Sequence, residues 1–254
     1  INDMRVIRIP WIPSLNILRS SIIGREDTQY LSIFARLNMR NRNFALDRVY
    51  FIGENPIICL VVSLAGLFIR VHALGFVLPN TSGRNTHKQI ADGINKTGMY
   101  SLLRHPLYLG NFLMWLGIGL LTENVWFNIF FILSFWLYYE RIMYAEETFL
   151  IKKFGDEYTN WSKDVPPFIP KFSNYQKPNL DFAWRKIIRQ EKSGIAALFI
   201  VFMLFHQVAF YFTNGEPDLS MSLWNVLFIV FTIYIAVIKT IQKSTDWLDI
   251  EKTR

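Results

Sequence analysis

Cysteine is almost missing from this chain of 254 residues. Cys59 stands alone, so neither a disulfide framework nor a cysteine-based zinc site can be assembled. Histidine is scarce as well: His72 and His206 each sit by themselves in apolar runs with no companion ligands. They read as core or interfacial side chains, and no metal is expected. No G-x-G-x-x-G follows a strand-like run, which leaves out a Rossmann-type dinucleotide site; Gly117 and Gly119 in WLGIGLL fall mid-helix and are read as easing helix packing. Internal repeats and low-complexity linkers are absent too. The opening INDMRVIRIPWIP has no continuous apolar core behind its positive charges, so no secretory signal peptide is expected there.

Apolar residues are plentiful: 52% of the chain is hydrophobic, 16% is aromatic, and the mean hydropathy is +0.21. Five stretches carry the excess, at residues 57–75, 107–122, 125–144, 194–213 and 222–240. Each is near the length needed to cross a hydrocarbon core of about 30 Å at about 1.5 Å per residue, 107–122 being the shortest. A bilayer offers no water to backbone polar groups, so the expected fold class is all-α, a polytopic transmembrane helix bundle with about five spans. The formal charge of +7 then points to an anionic lipid surface as the counterpart, with no nucleic acid partner.

Loop charges orient this bundle. The segment 76–106 carries Arg84, Lys88, Lys96 and Arg104 against Asp92, and the segment 145–193 is rich in lysine and arginine. The links Thr122–Asn124 and 214–221 carry acids and no base, so both basic loops are expected on the cytoplasmic side and the short links opposite. The chain divides into a basic N-terminal segment 1–56, which a single crossing would leave on the wrong side unless it holds an interfacial helix or hairpin around IPSLNILRSSIIG. A membrane core, 57–172, and a C-terminal part, 173–254, made of a polar connector and two apolar helices, follow it.

Three stretches converge on the cytoplasmic membrane edge. In TGMYSLLRHPLYLG, Pro106 suits a first helical turn, and Arg104 and His105 precede it, where free N–H donors favour an anion. The plainer alternative has Arg104 snorkelling, His105 capping, and Tyr100 and Tyr108 in an interfacial aromatic belt. In YYERIMYAEETFLIKKFGDEY, Glu140, Arg141, Glu146 and Glu147 lie where apolar sequence gives way to polar. Such acids mark either a functional site or a charge network ending a helix. In WSKDVPPFIPKF, proline breaks interleave with Val165, Phe168 and Ile169, as in an extended segment folding apolar side chains over something, or in a plain linker.

Taken together, TG-x-Y-x-x-x-RHP-x-Y-x-G, a helical hairpin, EE-x-x-L-x-x-x-FG-x-EY and VP-x-FIP resemble the isoprenylcysteine carboxyl methyltransferase family and the wider superfamily that includes phospholipid N-methyltransferases. The match covers residues 83–170, about a third of the chain. The resemblance implies an S-adenosylmethionine pocket between the ends of transmembrane helices. Tyr100, His105, Pro106, Leu107, Tyr108 and Glu146 would line it, with Glu146 meeting the cofactor's ammonium. Arg104, His105 and Glu147 would carry the chemistry, Glu147 or His105 serving as base if the acceptor is an amine. The family's substrate-facing arginine lies four residues before the paired glutamates; here Arg141 lies five before and position 142 is isoleucine, so Arg141 stands as the substrate-binding candidate across a turn of about 100°.

The implied activity is methyl transfer to the carboxylate, phosphate or amine end of a lipid or prenylated substrate entering from the bilayer, in a multi-pass protein with its site facing the cytoplasm. The last two helices are expected to build the substrate side. An NADPH-dependent sterol-type reductase, with Lys152 and Lys153 recruited for the 2′-phosphate, ranks second, and a non-catalytic lipid-binding scaffold third.

Overall fold

A computed structural model describes residues 55–78, 81 and 91–245. The N-terminal segment expected to hold an interfacial helix or hairpin lies outside them. Among the described residues the fold is all-helical: α1 (Pro56–Gly75), α2 (Met99–Leu102), α3 (Pro106–Leu120), α4 (Val125–Phe154), α5 (Asp156–Asp164), α6 (Trp184–Asn214) and α7 (Leu223–Ser244), with a 3-10 turn at Phe172–Asn174. The five apolar stretches of the sequence all become helices. Three of these, α1, α6 and α7, are long and apolar enough to cross a membrane, which marks a membrane protein. The count of five spans is not reproduced by length and composition: α3 has 15 residues, or about 22 Å, and α4 runs straight from its apolar half into YERIMYAEETFLIKKF.

Local chemistry sets the helix boundaries. Pro56 and Pro106 open α1 and α3, where a missing N–H leaves no bond unmade. Asn124 caps α4 by accepting from the Phe127 N–H at 2.9 Å. Gly155, at φ 56°, ends α4 and turns the chain into α5, and Gly215, at φ 80°, ends α6.

Packing centres on α1 against α3, with α4 on α3, α6 on α1, and α7 on α6. The central crossing brings backbone against backbone. A methyl group on Gly66 would stand 2.5 Å from the Gly110 carbonyl oxygen and 2.6 Å from the Met114 nitrogen. Gly117 faces Ser63 and Cys59 in the same way, and the Ser63 hydroxyl donates to the Met114 carbonyl at 2.9 Å. Small residues permit this approach, and in lipid, where apolar surfaces gain nothing by leaving water, close contact and such hydrogen bonds hold helices together. Below the crossing, Cys59, Leu198, Phe202 and Trp224 form a core joining α1, α6 and α7. Much of α4 faces outward, Trp126 being 79% exposed, as befits a side in contact with lipid.

The far end of the α6–α7 hairpin is tied by polar contacts. His206 Nε2 meets Asp218 Oδ2 at 2.7 Å, and the Ser220 hydroxyl donates to Asp218 Oδ1 at 2.6 Å. Hydrogen bonds from His206 and Ser220 hold the Asp218 carboxyl well below the usual carboxylate range. His206 thus has a partner that its isolation in the sequence does not disclose.

Enlarging the small residues at the crossing should separate α1 from α3. Gly66→Ala is expected to destabilise by about 1–3 kcal/mol. Gly155→Ala has open space around it and is strained only by its positive φ, so it should cost about 1 kcal/mol. Thermal unfolding in detergent should rank Gly66→Ala as the less stable of the two.

Candidate active site

The loop before α3 is held on two sides. From the connector, the Pro166 and Pro167 carbonyls accept from the Arg104 and His105 backbone N–H groups at 2.8 and 3.1 Å, and the Leu102 carbonyl accepts from the Lys171 N–H at 3.0 Å. Prolines cannot donate, but their carbonyls serve here as acceptors for an extended neighbour. The Gly98 N–H reaches the Gln176 carbonyl at 2.9 Å, and the Gln176 N–H reaches the Ser101 hydroxyl at 2.9 Å. Phe168 packs edge-on against Phe112 and Trp136, so the proline-rich stretch does fold an apolar side chain back over the helices.

From α4, the paired glutamates hold the side chains. His105 occupies the N-cap position of α3 without capping it. Its Nε2 instead meets Glu147 Oε1 at 2.8 Å, while Arg104 Nη1 donates to Glu147 Oε2 at 2.8 Å, so both oxygens of Glu147 are engaged. Glu146 accepts from the Tyr108 hydroxyl at 2.8 Å through Oε2, and His105 Nδ1 lies 3.6 Å from that oxygen. Glu146 Oε1 has no hydrogen-bond partner among the described residues. The rings of His105 and Tyr108 stack with centroids 5.5 Å apart, and Tyr139 packs against Tyr108 in turn.

Burial lowers the pKa of His105, but the carboxylates of Glu146 and Glu147 outweigh it and hold the imidazole above its ordinary value. Burial also pushes up the Tyr100 phenol, with Glu146 adding to the effect. The same cause takes Tyr158 to about 12.

These side chains border a cavity of about 610 Å³, within the range of small-molecule sites. Tyr100, Arg104, His105, Pro106, Leu107, Tyr108 and Glu146 all line it. Glu147 stands behind His105 and Arg104. Arg141 does not come to the cavity: it is exposed on the outer face of α4, and Ile142 lines the wall at that turn. This follows from the one-residue offset, which rotates the guanidinium by about 100°.

Sequence reading missed several lining residues. Arg70, within the apolar run of α1, donates from Nε to Glu191 Oε2 at 2.9 Å, from Nη2 to Glu191 Oε1 at 2.5 Å and from Nη1 to Asn111 Oδ1 at 2.5 Å. A lone arginine in an apolar span was the available signal. Asn95 accepts from the Leu78 N–H at 2.9 Å and lines the cavity from the loop. Tyr158 lines it too; its hydroxyl, like Nε of the expected Arg104, is buried without a hydrogen-bond partner among the described residues.

Part of this chain is similar to known proteins. The phospholipid methyltransferase family matches residues 85–157. A protein-S-isoprenylcysteine O-methyltransferase of Schizosaccharomyces pombe is 36% identical over 33% of this chain and 34% of its own. Another of that name, from Saccharomyces cerevisiae, is 34% identical over 44% of this chain and 47% of its own. The cobalt-zinc-cadmium resistance protein CzcN of Cupriavidus metallidurans is 38% identical over 32% of this chain and 37% of its own. This chain therefore spans between about a third and a half of the length of these relatives. No solved structure matches it.

A group whose folded pKa is raised contributes stability in full below its ordinary value, and that contribution is lost as pH rises through the folded value. Wild type should therefore exceed His105→Asn in thermal midpoint by most below the ordinary imidazole value, with the gap narrowing as pH rises through the raised folded value. In Glu147→Gln the imidazole resonances should titrate at lower pH than in wild type. An unchanged titration would mean that Glu147 does not hold the proton.

Proposed function

We propose that this chain is an integral-membrane methyltransferase using S-adenosylmethionine, a reading supported by the phospholipid methyltransferase match over residues 85–157. It would methylate the polar end of a lipid or prenylated substrate, with its site at the cytoplasmic edge of the membrane. The observation that carries the reading is the meeting of Tyr108–Glu146 and Arg104–His105–Glu147 at one cavity inside the matching segment. The reductase and scaffold alternatives gain no support from the relatives.

The residues present fit this cofactor. Glu146 offers a free carboxylate oxygen to an ammonium, and Tyr100, Tyr108 and Trp161 offer electron-rich faces to a sulfonium. The unpartnered Tyr158 hydroxyl and Arg104 Nε offer buried donors to a carboxylate or ribose oxygen. When bound, S-adenosylmethionine supplies an electrophilic methyl group on a positively charged sulfur.

The protein's own contribution is positional. Methyl transfer is an in-line displacement that gains most from orientation and exclusion of water. Arg104 and His105 hold Glu147, which fixes the imidazole ring; that ring packs on Tyr108, and Tyr108 in turn fixes Glu146. Glu147, with both oxygens already engaged by Arg104 and His105, acts as a positioning residue. Such a site suits an acceptor already anionic at neutral pH, such as a carboxylate or phosphate, better than an amine that must lose a proton.

Isothermal titration of the detergent-purified protein with S-adenosylhomocysteine, and with NADPH for comparison, tests the assignment. Saturable binding of the homocysteine compound is expected, weakened about tenfold or more in Glu146→Ala and in His105→Ala. Binding of NADPH alone, or of neither ligand by folded protein, would reject it.

A further inference from the structure

The cavity changes character with depth. Its mouth is polar, at Tyr100, His105 and Glu146; one turn further along α3 it meets Arg70, Asn111 and Glu191. Beyond these, α3 presents Met114 and Ile118, and α6 presents Gly194, Ala197 and Val201. Both sets recur at intervals of three or four residues, so each is one stripe of its helix. Both helices run inward from the same end of the bundle, since the Ala183 N–H at the start of α6 bonds the Gly75 carbonyl at the end of α1, at 2.8 Å. From Asn111 to Ile118 the apolar channel is about 10 Å long.

Arg70 stands at the junction of the polar and apolar parts. A guanidinium has five N–H donors; Glu191 takes two and Asn111 one, which leaves two without a hydrogen bond among the described residues. Glu191, 2% exposed and bonded through both oxygens, is consumed in holding Arg70. The cavity wall at α4 adds no charge here, because Ile142 faces inward and Arg141 outward. Arg104 lies nearer the mouth and is tied to Glu147.

We propose that Arg70, oriented by Glu191, is a specificity-determining residue: its two remaining donors bind the anionic head of the methyl acceptor while the acceptor's apolar tail lies in the channel between α3 and α6. The inference rests on the methyltransferase reading and deepens it. It also gives a role to α6, which lies outside the segment shared with the family: α6 supplies both the carboxylate that aims Arg70 and one wall of the tail channel. Orientation by Glu191 matters because an arginine fork loses little freedom when it binds a second oxygen pair, whereas a lysine in its place would present a point charge without the fork.

Binding of three amphiphiles to the full chain in nanodiscs, with the S-adenosylhomocysteine titration run in parallel, tests this. The probes are S-farnesylthioacetic acid, farnesyl phosphate and the uncharged methyl ester of the first. Wild type should bind at least one of the two anions about tenfold more tightly than the ester, and the preferred one identifies the head as carboxylate or phosphate. Arg70→Lys should erase most of that preference while S-adenosylhomocysteine affinity stays within about twofold. Ala197 lines the channel and is not packed into the core, so Ala197→Trp should weaken all three tailed probes without changing the anion preference that remains. Equal affinity of wild type for anions and ester would overturn the assignment, as would full retention of the preference in Arg70→Lys, or tail affinity unaffected by Ala197→Trp. If S-adenosylhomocysteine fails to bind wild type, the methyltransferase reading falls, and the acceptor role of Arg70 falls with it. If it binds and the anion preference is missing, only the role of Arg70 is lost.

Discussion

Two adjacent carboxylates, Glu146 and Glu147, sit partly covered where the sequence of α4 turns from apolar to polar, and covering them is unfavourable unless each is met by a donor or a cation. The loop TGMYSLLRHPLYLG supplies the partners. Because neighbouring residues on a helix point in directions about 100° apart, the two acids reach different parts of that loop: Glu147 takes Arg104 and His105, and Glu146 takes Tyr108. This requirement accounts for arginine and histidine standing together just before Pro106. Pro106 starts the helix, which leaves the two residues before it outside the helical ladder, with backbone N–H groups bonded to the connector and side chains turned toward α4.

The same requirement accounts for the connector. A loop that gives its side chains to α4 still has backbone N–H groups to satisfy close to lipid, and the carbonyls of Pro166 and Pro167 accept them. Loop, α4 and connector therefore form one hydrogen-bonded unit beside the mouth of the cavity, and the connector's Phe168 packs on Phe112 of α3 and Trp136 of α4. The cavity is shaped by elements that each satisfy one another's polar groups, which keeps it open without leaving most of those groups unpaired.

Deeper in the bundle a second buried charge pair, Arg70 with Glu191, plays the corresponding part between α1 and α6. Its neighbours at the α1–α3 crossing are glycines, and Gly110 lies directly against the stem of Arg70. The close approach of the two helices thus brings the guanidinium to the cavity instead of leaving it in lipid. In this way packing of small residues, a matter of fold stability, and placement of a charged group, a matter of recognition, come from the same contact.

Hydrophobic runs and prolines alone determined the helices, because each helix satisfies its own backbone and its boundaries depend on adjacent residues. The spacing of RHP, the glutamate pair and the proline stretch carried the resemblance, and with it the residues at the mouth of the cavity. Two things were decided only by tertiary structure. The direction of Arg141 depends on a rotation of one helix about its axis, which no pattern of neighbouring residues fixes, since both faces of α4 there are mixed. The pairing of Arg70 with Glu191 joins positions 121 residues apart, and a sequence shows such residues only as one charge in an apolar run and another in a polar connector. Whether two such charges meet depends on which helices pack together, and so on the shapes of side chains far from either.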